Sequence, residues 1–211
     1  MTLSTLELAR SAPMIPVIVI EDPDHAVPLA TALVAGGITT LEITLRSDAA
    51  LEAIRRIKAG VEGAIVGAGT LKTPRDVDDC LEAGCAFGVS PGAPAALIER
   101  VIDAGMPFLP GCATPTEAMD LADSGFEVVK FFPASAAGGA PMLKALSSPL
   151  PHIKFCPTGG VSLKNAKEYL DLPNVVTVGG SWVAPKSMMV EGDWAGIEKL
   201  ARETALALCN R

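Results

Sequence analysis

Short apolar runs recur along the chain. Each is closed by glycine, proline or a polar turn and followed by a stretch with helical spacing. Ile15 to Ile20 (IPVIVI) is unbroken by polar residues, the pattern of a strand buried on both faces. Glu21 to Asp24 is a turn, and His25 to Ala35 is helical until Gly36-Gly37. Thr39 to Leu45 (TTLEITL) is a second strand, and Ser47-Asp48 predicts the N-cap of a helix to about Lys58. Ala64 to Ala68 is a third strand, ending Gly69-Thr70, and Thr73-Pro74 opens a helix that stops at Gly84. Cys85 to Ser90 is a fourth strand, closed by Pro91-Gly92, with a helix from Ala93 to Asp103. Pro107 to Pro110 is a short fifth strand, and Thr114-Pro115 opens a helix to Ser124.

Glu127 to Pro133 (EVVKFFP) is the sixth strand, and Gly138-Gly139 precedes a helix to about Leu146. Ile153 to Thr158 is the seventh, followed by Gly159-Gly160 and a helix from Ser162 to Leu170. Val175 to Val178 is the eighth, followed by Gly179-Gly180-Ser181, and the last helix runs from Asp193 to about Leu208. A short amphipathic helix occupies the N-terminus, within MTLSTLELARSAP. Eight strand–helix units, roughly 22 to 28 residues apart, predict an α/β fold of the (β/α)₈ TIM-barrel type with a short N-terminal helix. An open doubly wound sheet is the alternative, but no G-x-G-x-x-G follows the first strand. No linker or composition break divides residues 1–211, so one barrel domain is expected.

Strand parity gives the barrel an unusual interior. In the second strand Glu42, Thr44 and Arg46 share one face, while Leu41, Ile43 and Leu45 share the other. The apolar set suits the helices, so the polar set is expected to point inward. Charges inside a barrel are costly unless partnered, and a purely structural ion pair is the plainer reading. In the sixth strand Lys130 shares a face with Val128 and Phe132. Both faces of that strand are apolar, so parity alone does not orient the lysine. Pointing outward it would lie under helices without an evident acid partner; pointing inward it meets Glu42 and Arg46. A buried ammonium is costly, and a lysine that sheds its proton is a nucleophile. A lysine on an edge strand whose head reaches water is the competing view, but a closed barrel has no edge. The residues therefore favour a Schiff-base lysine.

Composition narrows the class. Hydrophobic residues make up 49% and charged residues 19%, so disorder is not expected, and 4% aromatics require an aliphatic, alanine-rich core. The net charge of −7 argues against a nucleic-acid surface. No apolar run is long enough to span a membrane, and the N-terminus lacks the pattern of a signal peptide. Cys80, Cys85, Cys112, Cys156 and Cys209 contain no C-x-x-C pair and read as reduced thiols of a cytoplasmic protein. His25 and His152 lie in unrelated surroundings, so neither a metal nor another cofactor is expected.

The mouth of the barrel holds further candidates. Thr70 ends the third strand, where a hydroxyl could hold a carboxylate or phosphate, although threonine before a helix is common. Thr158-Gly159-Gly160 and Gly179-Gly180-Ser181 follow strands seven and eight, where barrels often bind phosphate through backbone N–H groups. Asp48, Lys72, Lys154 and Lys186 are read as solvated surface charges.

In order, TTLEITLRS, IVGAGT, VSPG, VKFFPAS, FCPTGG and VGGSW resemble the 2-keto-3-deoxy-6-phosphogluconate (KDPG) aldolase family, from about Pro13 to Leu206. The resemblance implies a class I aldolase on a (β/α)₈ barrel, a homotrimer, without a metal. It places the Schiff base on Lys130, acid/base chemistry on Glu42, and carboxylate contacts on Arg46 and Thr70. Pro91 and Phe132 match pocket-lining residues, and Gly159, Gly160, Gly179, Gly180 and Ser181 match the phosphate end. The substrate so implied is a small phosphorylated keto acid, cleaved to pyruvate and glyceraldehyde 3-phosphate in the Entner–Doudoroff pathway. One departure is the turn Glu21-Asp22-Pro23, which is often more basic in the family. The related galactonate-type (KDPGal) aldolases carry Arg-Gly after the first strand, and its absence here points to the gluconate substrate. The alternatives are KDPGal or 4-hydroxy-2-oxoglutarate cleavage at the same site, or a non-catalytic phosphometabolite-binding barrel. A metal-dependent aldolase would want a ligand cluster that two scattered histidines do not supply.

Overall fold

A computed structural model describes residues 4–11 and 13–209. Helix α1 (Thr5–Ser11) starts at a reciprocal cap, in which Glu7 N–H donates to Ser4 Oγ and Ser4 N–H to Glu7 Oε2. Met1 to Leu3 and Ala12, included in the expected N-terminal segment, lie outside the described residues. The strands are β1 (Ile15–Ile18), β2 (Thr40–Thr44), β3 (Ile65–Gly69), β4 (Gly88–Val89), β5 (Phe108–Leu109), β6 (Gly111–Cys112), β7 (Val128–Phe131), β8 (Lys154–Pro157) and β9 (Gly179–Gly180). The remaining helices are α2 (Ala26–Ala35), α3 (Ala50–Gly60), α4 (Pro74–Ala83), α5 (Ala95–Ala104), α6 (Pro115–Asp123), α7 (Gly139–Leu146), α8 (Ala166–Leu170), α9 (Lys186–Glu191) and α10 (Trp194–Cys209).

Every strand pairing is parallel, as the alternating pattern requires. The strands form one six-stranded sheet, β5-β4-β3-β2-β1-β9, and one three-stranded sheet, β6-β7-β8. The expected single ring of eight strands is thus present as a parallel α/β fold in two sheets. Pro110 is one reason. It has no N–H to give to a ladder, and it separates β5 from β6 where one fifth strand was expected. The eighth strand position is the other. Its ladder forms at Gly179–Gly180 rather than over Val175–Val178, and it meets β8 only through single bridges, Phe155 to Val175 and Thr158 to Gly179.

Helix starts follow the sequence where the cap is local. Thr73 and Thr114 each close a full capping box, with Asp76 and Glu117, ahead of a proline at the first turn. Two helix starts differ from the expectation at Ser47-Asp48 and Ser162. Ser47 donates its hydroxyl to the carbonyl of Ile20, and α3 starts at Ala50 without a side-chain cap. Ser162 is bonded to Asn165 Oδ1, and α8 starts at Ala166. In both cases the loop bonds elsewhere before the helix begins.

Two apolar layers follow from strand parity. Leu41, Ile43, Val129 and Phe131 pack outward in the large cluster that includes the helices. Leu8 and Ala9 of α1 join Ile15, Phe87, Val89, Leu109, Val128 and Cys156 in a separate inner cluster. Helix α1 therefore covers the end of the strands opposite the loops that carry the candidate residues, and Thr5 Oγ1 fixes it by accepting from Phe108 N–H. Burying eight side chains in this layer leaves the inner surface apolar up to the level of Lys130.

The thiols of Cys80, Cys85, Cys112 and Cys156 are free in the structure, and the side chain of Cys209 lies outside the described residues. Burial pushes the thiols of Cys112 and Cys156 up to about 12. A hydrogen bond that the Cys80 thiol makes to Cys85, with burial, raises the pKa of Cys80. Raised thiol pKa values leave almost no thiolate at pH 8. Among the four described cysteines, half-buried Cys85 is expected to react first with iodoacetamide, more than about 100-fold faster than Cys156. Peptide mass spectrometry of a labelling time course checks this. Equal rates would mean that the inner layer opens freely.

Candidate active site

Strands β2 and β7 each carry one ionisable side chain into the interior. Lys130 Nζ lies 3.2 Å from Glu42 Oε1, with side-chain exposures of only 7% and 3%. The expected inward lysine and its carboxylate partner are therefore brought together. Glycine makes room for the carboxylate: a Cβ on Gly69 would overlap it, whereas the register partner of Glu42, Gly67, leaves space for the ring of Phe87. The ring of Phe132 lies under Lys130 Nζ, 5.4 Å from its centroid. Cys156 stands in register with Lys130 on β8, and Thr158 Oγ1 donates to the Cys156 carbonyl at 3.4 Å.

Arg46 differs from the expectation. The chain turns after Thr44, with Arg46 N–H bonded to the Thr44 carbonyl, so strand alternation stops before it reaches Arg46. Its guanidinium is exposed at the mouth, and Nε donates to Thr44 Oγ1 at 3.2 Å. Thr44 in turn donates to the Ile18 carbonyl. Lys130 and Glu42 thus form the buried pair, and Arg46 stands at the rim.

Thr70 has φ 67°, the left-handed region that β-branched residues rarely adopt. Such a conformation costs on the order of 1–3 kcal/mol and is held only where its surroundings demand it. It places the half-buried Thr70 just past the end of β3, directly after Gly69. Pro91 is exposed after β4, with its backbone lying where a Cβ on Gly111 would be.

The two glycine loops are neighbours through the Thr158–Gly179 bridge. Gly159 and Gly160 have φ of 97° and 75°, so the turn after β8 needs both glycines. Gly179 and Gly180 are needed for space: side chains there would strike Thr158 Oγ1 and the ring of Trp182. Ser181 is exposed and lines a cavity of about 510 Å³ with Arg46. Val17 and Val19 form its floor, and Val17 stands in register with Glu42, so the cavity adjoins the buried pair. Glu21, Asp22, His25 and Lys186 complete its polar wall. Lys186, expected from the sequence as a solvated surface charge, is indeed exposed, on this wall of the cavity. Among the described residues, no group of three His, Cys, Asp or Glu could hold a metal ion, and no helix is long and apolar enough to cross a membrane.

A family model described as "Aldolase: KDPG and KHG aldolase" matches residues 6–200. The chain belongs to the KDPG and KHG aldolase family. Within it, the chain is 46% identical to the 2-dehydro-3-deoxy-phosphogluconate aldolase of Dickeya dadantii over 200 residues, 95% of this chain and 94% of the relative. It superposes with a TM-score of 0.94 on a KDPG aldolase from Legionella pneumophila with pyruvate captured at low pH as a covalent carbinolamine intermediate. That pair is 42% identical, covering 97% of this chain and 99% of the other. A KDPG aldolase of Zymomonas mobilis with 3-phosphoglycerate gives a TM-score of 0.92 at 44% identity, covering 97% and 96%. A KDPG and KHG aldolase fold thus accounts for the parallel strands, and the buried lysine–carboxylate pair sits inside it.

Proposed function

We propose that this protein is a class I aldolase that cleaves KDPG to pyruvate and glyceraldehyde 3-phosphate through a Schiff base on Lys130. The observation that carries the reading is the buried Lys130–Glu42 pair at 3.2 Å, beside a cavity that opens at the loop end of the strands. Lys130 Nζ attacks the C2 carbonyl to give a carbinolamine. Glu42, within hydrogen-bond reach of that nitrogen, hands over the proton with which the hydroxyl leaves as water. The resulting protonated imine is the electron sink. Glu42, directly or through a water, takes the C4 hydroxyl proton; the C3–C4 bond breaks and its electron pair moves into the imine to give an enamine. Glyceraldehyde 3-phosphate leaves, C3 is reprotonated, and hydrolysis frees pyruvate and the amine. The Phe132 ring stabilises the cationic imine.

Arg46 and Thr70 hold the pyruvyl carboxylate at the rim, and the strained backbone of Thr70 supports that role. Pro91, exposed after β4, bounds the pyruvyl end from its own loop. Thr158, Gly159, Gly160, Gly179, Gly180 and Ser181 hold the phosphate end, supported by the adjacency of the two loops. The domain is a single barrel, an arrangement supported by the bridges between β8 and the eighth strand position and by the continuity of β5 with β6 across Pro110. The protein acts in the Entner–Doudoroff pathway in the cytoplasm, as a homotrimer; exposed Ile102 and Met119 are apolar surface of the kind a subunit contact covers. 4-Hydroxy-2-oxoglutarate, which shares the pyruvyl half, is a second substrate of the same site.

The test is pyruvate release from KDPG with and without a chelator, and with borohydride. Cleavage is expected to resist the chelator and to be lost on borohydride treatment in the presence of pyruvate. Chelator-sensitive cleavage, or activity untouched by borohydride, would overturn the imine mechanism.

A further inference from the structure

Glu21 and Lys186 are 165 residues apart in sequence, yet Lys186 Nζ lies 2.7 Å from Glu21 Oε1 across the mouth of the large cavity. Glu21 comes from the loop after β1, and Lys186 opens α9, beyond the loop of Ser181. Their side chains are 63% and 69% exposed. Exposed ion pairs are weak, and a lysine stem swings between rotamers, so the partners separate easily. Around the cavity Arg46 and Lys186 carry positive charge, and Glu21 and Asp22 carry negative charge. The signs cancel as the structure stands. A phosphate dianion beside Ser181 would meet Glu21 and Asp22 unfavourably unless a cation turned toward it.

We propose that Lys186 sets the preference for phosphorylated over unphosphorylated keto acids by leaving Glu21 for the substrate phosphate. The inference rests on the aldolase reading above. A dianion attracts the ammonium more strongly than a single carboxylate charge does. Glu21 is then a competitor for Lys186, which fixes opposite signs for two substitutions. Removing the cation weakens binding of the phosphorylated substrate, and removing the competing carboxylate strengthens it. A pair that merely strapped two loops together would give loss in both cases.

The experiment is steady-state kinetics of wild type, Lys186→Met, Glu21→Gln and the remote control Lys199→Met on KDPG and on 4-hydroxy-2-oxoglutarate. In Lys186→Met the ratio of kcat/KM for KDPG to that for 4-hydroxy-2-oxoglutarate is expected to fall about tenfold, mainly through KM for KDPG. In Glu21→Gln the ratio is expected to rise about threefold, and in Lys199→Met to stay at the wild-type value. An unchanged ratio in Lys186→Met, or a fall in Glu21→Gln, overturns the exchange. Borohydride trapping of pyruvate on wild-type Lys130 separates the two levels of argument. If trapping succeeds and the ratios do not move, only the Lys186 inference fails; if trapping fails, both fail.

Discussion

Lys130→Met is expected to lower kcat on KDPG by on the order of 10⁴–10⁶, the range seen when an enzyme loses its covalent nucleophile. Neither Lys154 nor Lys186 is positioned to replace it: Lys154 donates to the carbonyls of Pro151 and Pro173, and Lys186 stands at the exposed rim beside Glu21, outside the buried pair. The variant also removes one half of a buried ion pair. Glu42 would keep its carboxylate inside the strands without the ammonium 3.2 Å away. Breaking such a pair costs about 3 kcal/mol or more, which for a chain of this size lowers Tm by on the order of 10 °C. Loss of activity could then be confused with loss of fold. Lys130→Met with Glu42→Gln separates them, because neither position then carries a charge. That double variant is expected to recover most of the Tm and none of the turnover. Borohydride with pyruvate should place a reduced three-carbon adduct on Lys130 of the wild type, read by peptide mass spectrometry. An adduct on a different lysine would move the mechanism elsewhere.

The sequence was most legible where a feature is decided within a few residues. Thr73-Pro74 with Gly84, and Thr114-Pro115, marked α4 and the start of α6 because caps and left-handed stops are local. Strand parity placed Leu41 and Ile43 under the helices and Glu42 inside, since a residue's face in a strand depends only on its neighbours. What it misjudged lies in the turns and loops that follow the strands. Ser47 was expected to cap a helix but bonds to Ile20 on the preceding loop. Arg46 was carried inward by an alternation that ends one residue after Thr44. Helix α9 was not foreseen, because PKSMMVEG is short and flanked by proline and glycine. The strain at Thr70 has no sequence signature, since threonine commonly precedes a helix with ordinary φ. The ion pair of Glu21 with Lys186 joins the loop after β1 to the start of α9, a contact that the pairing of β1 with β9 brings about.

Glu42→Gln is expected to lower kcat by roughly 10²–10⁴ while leaving the protein folded. Glutamine keeps the volume and can still accept a hydrogen bond from Lys130 Nζ, so the fold loses less than in Lys130→Met. It cannot, however, give and take a proton as carbinolamine dehydration and C4–O–H cleavage require. Exchange of the pyruvate methyl hydrogens with deuterated water, which runs through the enamine, is a second readout, and it should slow along with cleavage. Retention of more than about a tenth of wild-type turnover would assign the proton transfers to water or another group. Gly69→Ala tests the same role without changing any charge. Gly69 does not have a positive φ, so alanine brings no backbone strain there. Its Cβ would overlap the Glu42 carboxylate and Cγ, so the Glu42 side chain beyond Cβ has to shift. Displacement from Lys130 Nζ should then reproduce much of the Glu42→Gln loss. A folded Gly69→Ala protein as fast as wild type would mean that the carboxylate can leave the nitrogen without consequence, which proton transfer over one hydrogen bond does not allow.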